Sequence, residues 1–219
     1  MNINRAVLVF GLLFLGVMGN AADLPVLVEE KFEKGMISWE IGDPTPWKMI
    51  DLPEGGKALS QFDKKSKFKP PHRSPFHMAM LKEPVVTDFV LDATMRSTVK
   101  DYGHRDLCLF FGQQDNGHFY YVHFGKKTDD HANQIFIVNG ADRKKISTST
   151  TPGTNWTDNW HKARIKRDTQ SGDIQVYFDD MAKPVMTAND KTFTWGRVGI
   201  GTFDDTGDWK EVTLRGKKK

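Results

Sequence analysis

The 219-residue sequence predicts an all-β fold, a sandwich or a barrel, behind a short N-terminal targeting segment. Two observations lead to this prediction. Beyond the first 22 residues, no long segment carries apolar residues at helical spacing. Short runs rich in β-branched and aromatic residues recur about every ten residues instead, separated by turn residues. We therefore expect almost no helix in the mature chain.

Eight segments are the clearest strand candidates, because each combines β-forming residues with flanking turn signals. They are Phe89–Arg96, Asp106–Phe111, His118–Phe124, Gln134–Val138, His161–Arg167, Ile174–Phe178, Val198–Thr202 and Glu211–Leu214. Gly112–Gly117 joins the second and third candidates and ends in an Asn-Gly pair, which tolerates positive φ. Ser171–Asp173 joins the fifth and sixth in the same way. Both pairs are predicted to be antiparallel hairpins.

The segment Ser60–Pro75 interrupts this pattern. It contains four lysines and the pair Pro70-Pro71, which together disfavour regular structure. We expect a long surface loop that either flanks a groove or is a solvated basic connection.

The first 22 residues have the composition of a secretory signal peptide. Arg5 supplies the positive start, Ala6–Met18 the apolar core, and the small residues before Asp23 a cleavage site. A membrane-spanning helix needs about 20 apolar residues, and this run is shorter. We therefore expect a signal peptide at 1–22 and one domain at 23–219. The protein is expected to be secreted or periplasmic, with no membrane span after the signal is removed.

Charge and cysteine content narrow the function classes. The chain carries 31 Lys and Arg residues against 28 Asp and Glu residues, a formal charge of +3, and removal of Arg5 with the signal leaves +2. A nucleic-acid partner usually demands a marked basic surface, so none is expected. Cys108 is the only cysteine, so no disulfide supports the fold. Within the apolar run Leu107–Phe111 it is predicted to be a buried, inert thiol.

Motifs at both ends of the mature chain resemble one superfamily. The opening motifs are Phe32-Glu33-Lys34-Gly35, Trp39-Glu40-Ile41 and Trp47-Lys48-Met49. The closing motifs, similar to laminin-G-like and related bacterial domains, are Trp160–Arg164, Gly172–Asp179 and Gly196–Phe203. Together they resemble the concanavalin A-like lectin/glucanase superfamily. The resemblance implies a two-sheet antiparallel jelly-roll sandwich and a function that concerns carbohydrate.

The superfamily contains lectins, binding modules, hydrolases and lyases, so the fold alone does not select an activity. The chain lacks the Glu-x-Asp-x-x-Glu strand of family-16 glucanases, which disfavours their retaining mechanism. It partly resembles bacterial sandwich proteins grouped with 3-keto-disaccharide hydrolases, but lacks their opening Phe-Asn-Gly-Lys motif. We expect a lyase or hydrolase that cleaves glycosidic bonds of a polysaccharide or oligosaccharide. The alternative is a non-catalytic lectin or carbohydrate-binding module.

Ionisable residues concentrate around the first predicted hairpin. Strand alternation assigns two apolar sets to the core, Leu107/Leu109/Phe111 and Tyr120/Val122/Phe124. The candidate catalytic residues project from the other face: His104, Asp106, Tyr121 and His123. A histidine beside an aspartate titrates near neutrality, and a tyrosine can exchange a proton with a sugar oxygen. The alternative is a satisfied hydrogen-bond network or a solvated face.

The resemblance implies that this other face is an open saccharide groove. Candidate substrate-binding residues are Arg73, Arg105, Gln134, His131, Asn133 and Trp156, the last as an exposed stacking platform. No metal is assigned to the groove, although the loop residues Asp129, Asp130, His131 and Asn133 would also suit a metal- or hydroxyl-binding edge, with a merely solvated loop as the alternative. No cofactor is certain. The resemblance makes a structural calcium ion near Asp204–Asp208 possible, although Lys210 replaces an acid that many relatives carry.

Overall fold

The structure is a computed structural model that describes residues 24–219. The predicted signal peptide lies outside the described residues. Sixteen strands make up the secondary structure: β1 Val26–Glu30, β2 Trp39–Ile41, β3 Trp47–Asp51, β4 Lys57–Gln61, β5 His77–Leu81, β6 Val86–Ser97, β7 Cys108–Asp115, β8 His118–His123, β9 Gln134–Asn139, β10 Lys144–Lys145, β11 Ser147–Thr150, β12 His161–Arg167, β13 Asp173–Phe178, β14 Met186–Asn189, β15 Arg197–Thr202 and β16 Gly207–Lys218. The described part of the chain contains no helix, and hence none able to span a bilayer.

The strands form two antiparallel sheets. The nine-stranded sheet has the order β11-β14-β13-β12-β6-β16-β4-β3, and β1 pairs with β16 at one side of this path. The seven-stranded sheet has the order β10-β9-β8-β7-β15-β5-β2. The predicted all-β, two-sheet sandwich is confirmed.

The core lies between the sheets and follows the predicted alternation. Leu109 and Phe111 of β7 and Tyr120 and Val122 of β8 are fully buried in it. The rings of Phe111 and Tyr120 stack at 5.0 Å. From the opposing sheet, Ile165 and other inward residues of β6, β12, β13 and β16 complete the core. The predicted core face of β7 and β8 is therefore confirmed.

The first predicted hairpin is present, with a shorter turn than the sequence indicated. Strand β7 runs to Asp115, so only Asn116 and Gly117 form the turn. Asp115 Oδ1 accepts a hydrogen bond of 2.7 Å from Gly117 N and lies 2.8 Å from His118 Nδ1. These contacts stabilise a two-residue turn. The second hairpin joins β12 to β13 through Gly172, whose φ of 85° favours glycine.

Strands β1 to β5, β10, β11 and β14 were not among the eight candidates. Strand β5 shows why, because all five of its residues are buried and its sequence has no polar alternation. A strand buried on both faces reads as a continuous apolar run. Its second face must therefore be covered by another part of the chain.

The cover is residues 62–76, which we call the cover segment. It connects β4 of the nine-stranded sheet to β5 of the seven-stranded sheet. Phe68 packs beside the end of β2, and His72 lies against the β7–β8 turn. Arg73 hydrogen-bonds the β9–β10 turn, and Phe76 N donates to the carbonyl that follows β15. The segment thus crosses the outer face of the seven-stranded sheet.

Candidate functional site

An apolar layer lies beneath the cover segment, on the outer face of the seven-stranded sheet. Its buried members are Met78, Met80, Cys108, Phe110, Phe119, Tyr121, Phe136, Val138 and Phe203. The rings of Tyr121 and Phe136 stack at 5.1 Å, and Phe110 meets Phe119 edge-on at 6.0 Å. The expected open groove is therefore not formed on this face, because aromatic side chains and the cover segment fill it.

Asp106 and His123 form a buried pair at one end of this layer. Asp106 is 0% and His123 5% exposed, and His123 Nε2 lies 3.1 Å from Asp106 Oδ2. The same oxygen accepts longer contacts from Cys108 Sγ at 3.5 Å, Thr202 Oγ1 at 3.4 Å and Phe203 N at 3.2 Å. Asp106 Oδ1 and His123 Nδ1 are buried without a hydrogen-bond partner. One carboxylate oxygen is crowded and the other has no partner.

Burial and charge act oppositely on this cluster. Burial favours the neutral acid, but the interactions with His123, together with the hydrogen bonds from Phe203 N and Cys108, outweigh it, so the pKa of Asp106 lies below its usual range. Burial and then the Asp106 charge raise the pKa of the Cys108 thiol well above its ordinary value. Cys108 is thus a buried free thiol, as predicted.

Tyr121 is the third predicted catalytic residue in this cluster. Its side chain is 0% exposed, and its hydroxyl accepts a hydrogen bond of 2.8 Å from Arg143 Nη1. Burial raises the pKa of Tyr121, which keeps the phenol protonated. Arg143 itself covers the rings of Phe136 and Phe203, at 4.6 and 4.3 Å from their centroids. Its position beside a turn gave no sequence signal for this role.

His104 lies apart from the other three catalytic candidates. It precedes β7, and its Nε2 is 2.8 Å from Asp129 Oδ2 in an exposed pair. Strand alternation does not apply to it, because β7 begins only at Cys108. The structure thus brings Asp106, Tyr121 and His123 together and places His104 on the adjoining surface.

Two predicted substrate-binding residues belong to the interior. Arg105 is 2% exposed and donates to Ser97 O at 2.9 Å and to Asp158 Oδ1 at 2.9 Å, away from the outer face. Trp156 is 3% exposed, and its Nε1 donates to Phe124 O at 2.6 Å. The expected exposed stacking role of Trp156 is wrong, because the indole packs between the sheets.

Of the remaining predicted substrate-binding residues, two stabilise a loop and two are exposed on the surface. Asn133 is fully buried with φ of 53°, and its Nδ2 donates to Thr128 Oγ1 at 2.6 Å. Gln134 Nε2 donates to Asp129 O at 2.8 Å. Both shape the loop before β9. His131 is exposed on that loop, and Arg73 is exposed on the cover segment.

Four residues form what we call the polar rim, at the end of the apolar layer: Lys64, Tyr102, Asp204 and Asp205. The Asp205 Oδ1 atom accepts hydrogen bonds from Lys64 Nζ and Tyr102 Oη, each at 2.8 Å. Tyr102 is 42% exposed. Asp204 is exposed, but desolvation by neighbouring groups, and then the charges of Asp106 and Asp205, raise its pKa. The rim thus combines the buried carboxylate of Asp205 with the exposed side chains of Lys64, Tyr102 and Asp204.

The segment Asp204–Asp208 does not fit a calcium ion. Lys64 Nζ forms an ion pair with Asp205 Oδ1 at 2.8 Å, and Arg96 Nη2 lies 2.6 Å from Asp208 Oδ2. Calcium requires six to eight oxygen ligands, and two of these carboxylates are already neutralised by cations. Oxygens of Asp106, Asp204 and Asp205 do lie within 4.8 Å of one another, but the Lys64 ammonium shares that space.

No protein-family model and no curated protein matches the chain. Solved structures do. The carbohydrate-binding module CBM66 from Bacillus subtilis has 17% identity and a TM-score of 0.57, over 83% of this chain and 97% of that one. A Bacillus subtilis protein of unknown function with a galectin-like fold has 10% identity and a TM-score of 0.58, over 89% and 97%.

A third similar structure is domain 4 of AbnA, a GH43 extracellular arabinanase from Geobacillus stearothermophilus, in complex with arabinotriose. It has 10% identity and a TM-score of 0.56, over 89% of this chain and 94% of that one. These neighbours show the fold alone, which is a two-sheet antiparallel sandwich of the concanavalin A-like type.

Proposed function

We propose that the protein is an exported carbohydrate-binding protein that does not cleave its ligand. The fold it shares with a carbohydrate-binding module and an arabinotriose-bound domain supports the ligand class. One observation carries the preference for binding over cleavage. Asp106, Tyr121 and His123 are 0%, 0% and 5% exposed, so none of them can reach a polymer in solution. A general acid or base must come within hydrogen-bond reach of its substrate.

The proposed saccharide site is the polar rim with the adjoining surface. The exposed ring of Tyr102 offers an apolar face for the C–H groups of a sugar, with its hydroxyl held by Asp205. Asp204 and the His104–Asp129 pair offer hydrogen-bonding groups for sugar hydroxyls. An aromatic platform with a few placed polar groups is the general composition of a small-molecule site.

Export rests on the sequence of the first 22 residues, which the structure does not describe. We propose that the signal peptide is removed and that the protein acts outside the cytoplasm. Mass spectrometry of the protein recovered from the periplasm or medium tests this step. A mature N-terminus near Asp23 is expected, and an intact Met1 would contradict it.

Cleavage is the second candidate, and one observation favours it. The carboxylates of Asp106 and Asp204 lie within 4.8 Å, with their pKa values displaced in opposite directions. Carboxylates whose environments separate their pKa values are typical acid–base pairs, and retaining glycosidases space theirs about 5 Å apart. Asp204 would then donate the proton. The complete burial of Asp106 argues against attack by that residue.

A polysaccharide panel tests both candidates. Binding is measured by affinity electrophoresis and calorimetry, while reducing ends and ultraviolet absorbance report hydrolysis and lyase products. We expect binding without product. Tyr102→Ala and Asp204→Asn should abolish binding, while Asp115→Asn, at an exposed carboxylate at the other end of the same sheet, should not. Product formation that Asp204→Asn removes would establish the second candidate instead.

A further inference from the structure

Three different metal-binding side chains meet at the buried end of the apolar layer. Cys108 and His123 are directly paired across β7 and β8. Asp106 lies two residues before Cys108 and contacts the same side. Their ligand atoms all lie within 4.8 Å of one another. Thiolate, imidazole and carboxylate are the three ligand types that zinc uses in proteins.

Two of the three distances within this group agree with tetrahedral coordination, and the third, between His123 and Cys108, lies within 4.8 Å. Zinc lies about 2.0–2.2 Å from oxygen or nitrogen and about 2.3 Å from sulfur, which places tetrahedral N···O and S···O neighbours about 3.4 and 3.6 Å apart. The observed separation of His123 Nε2 from Asp106 Oδ2 is 3.1 Å, and Cys108 Sγ lies 3.5 Å from the same oxygen. Both agree with a shared ion to within a few tenths of an ångström.

Hydrogen bonding accounts poorly for the same atoms. Four donors crowd Asp106 Oδ2 at 3.1 to 3.5 Å, while its Oδ1 is buried with no partner. His123 Nδ1 is also buried without a partner. The crowded Oδ2 atom is the feature that points to a cation among these side chains, because one cation would replace several long contacts to it. The two atoms without a partner, at a cost of about 1–3 kcal/mol each, are not ligands of that ion and call for a separate explanation such as water.

We propose that Asp106, Cys108 and His123 form a buried binding site for a divalent transition metal ion of the zinc class. Thr202 Oγ1, 3.4 Å from Asp106 Oδ2, is a further oxygen beside the three ligands. Binding replaces the thiol proton with a metal–sulfur bond, and that proton is released to solvent while the ion keeps its oxidation state. Calcium is disfavoured because it takes oxygen ligands.

The proposed ion is structural and lies beside the proposed saccharide site, because the carboxylates of Asp106 and Asp204 are within 4.8 Å of each other. It would join β7 to β8 directly, and Thr202 would connect it to the end of β15. Because the three ligands are almost fully buried, exchange with solvent requires a local opening. We therefore expect slow loss of the ion to a chelator.

Cobalt substitution gives a direct test, because Cys108 is the only cysteine in the chain. The purified protein is stripped with a chelator in mild denaturant, refolded with cobalt chloride and examined by absorption spectroscopy. We expect stoichiometric cobalt with a near-ultraviolet sulfur-to-cobalt charge-transfer band and intense tetrahedral visible bands. Surface histidines such as His104 and His131 cannot produce the sulfur band. Absence of that band from the refolded wild-type protein would overturn the proposal.

Two variants and one control locate the ion. Cys108→Ser should remove the sulfur band, and His123→Gln should weaken metal binding by more than the ~10–100-fold typical of a residue that only orients a ligand. His118→Gln, on the same strand but only half-buried and at its far end, should bind cobalt as wild type does. Zinc should raise the melting temperature of wild type and His118→Gln only. An equal rise in Cys108→Ser, or a sulfur band in it, would refute the assignment.

Discussion

At the scale of single residues, buried polar groups define this molecule more than exposed ones do. His77 begins β5 and is 1% exposed, with its Nε2 3.1 Å from the backbone oxygen of Lys64. Its Nδ1 has no partner. Burial lowers the pKa of His77 below its ordinary value, because the charged imidazolium is poorly solvated there. The neutral ring is therefore the form that the folded state prefers.

His77 should make stability depend on pH. The unfolded chain binds a proton at His77 near pH 6.5, whereas the folded chain does so only at lower pH. The unfolded state then holds more protons, so the free energy of unfolding falls as pH drops through about 6.5. Urea unfolding at pH 7.5 and 5.5 measures this, and His77→Gln should flatten the difference. An unchanged slope in the variant would contradict the argument, since the carboxylates are the same in both proteins.

Trp156 gives a second prediction at this scale. Trp156→Ala should lower the free energy of unfolding by about 3–5 kcal/mol, because it opens a large cavity between the sheets. Trp156→Phe should lower the free energy of unfolding by less. The remaining loss should come chiefly from the carbonyl of Phe124, which would no longer have a hydrogen-bond donor. Denaturant unfolding measures both. A Trp156→Ala protein that keeps its stability but binds sugar more weakly would instead support the exposed stacking role that the sequence predicted.

At the scale of elements, the residues that face the core between the sheets were predictable from the sequence. The burial of the outer face of the seven-stranded sheet was not. The core side of β7 and β8 follows from alternation of Leu109 and Phe111 with their neighbours. On the other side, Cys108 and Phe110 are also apolar, so the run is buried on both faces. This continuous apolar run was the sequence signal that another part of the chain covers the outer face. Which segment supplies it depends on tertiary contacts far apart in the chain, which local patterns do not contain.

Strand β15 shows how closely its neighbour approaches. A Cβ atom on Gly201 would lie 1.9 Å from the His77 carbonyl oxygen, a backbone atom that cannot turn aside. Gly201→Ala should therefore destabilise the protein by about 1–3 kcal/mol or more through overpacking. Gly35→Ala is the contrasting variant, since it meets no atom within 4 Å and carries only the strain of its φ of 71°. Thermal melting compares the two, and an equal loss would be contrary to expectation.

The cover segment itself is testable as an element. Replacing residues 66–72 with a short Gly-Ser linker removes Phe68 and should uncover the apolar layer of the seven-stranded sheet. An exposed apolar patch of that kind promotes association, so dye binding should rise and solubility should fall. The single change Lys69→Ser, on the exposed side of the segment, is the matched control. A linker variant that stays soluble and does not bind dye would show that the layer has another cover.

At the scale of the whole molecule, the fold is maintained without disulfides. Two sheets share one extended core, and Cys108 lies on the opposite side of the seven-stranded sheet from it. Its thiol is 0% exposed, and burial raises its pKa. Both properties suppress the thiolate on which reagents act.

A thiol reagent should therefore report opening of the structure. We expect the folded protein not to react with the reagent at mildly alkaline pH. In urea it should react with one equivalent of reagent per chain, since Cys108 is the only cysteine. A reductant should leave the unfolding midpoint unchanged. Labelling rates measured across urea concentrations test both points, and rapid labelling without denaturant would contradict the buried position.

The cover segment connects strands of different sheets and contains the exposed lysines Lys64, Lys65, Lys67 and Lys69. A trypsin-like protease would meet these lysines on an irregular backbone, the kind of site where proteolytic nicking concentrates. One cut would leave β4 and β5 paired with their neighbours, while the cover segment would become two separate chain ends. The nicked protein would keep its sandwich and present its aromatic layer to the surroundings.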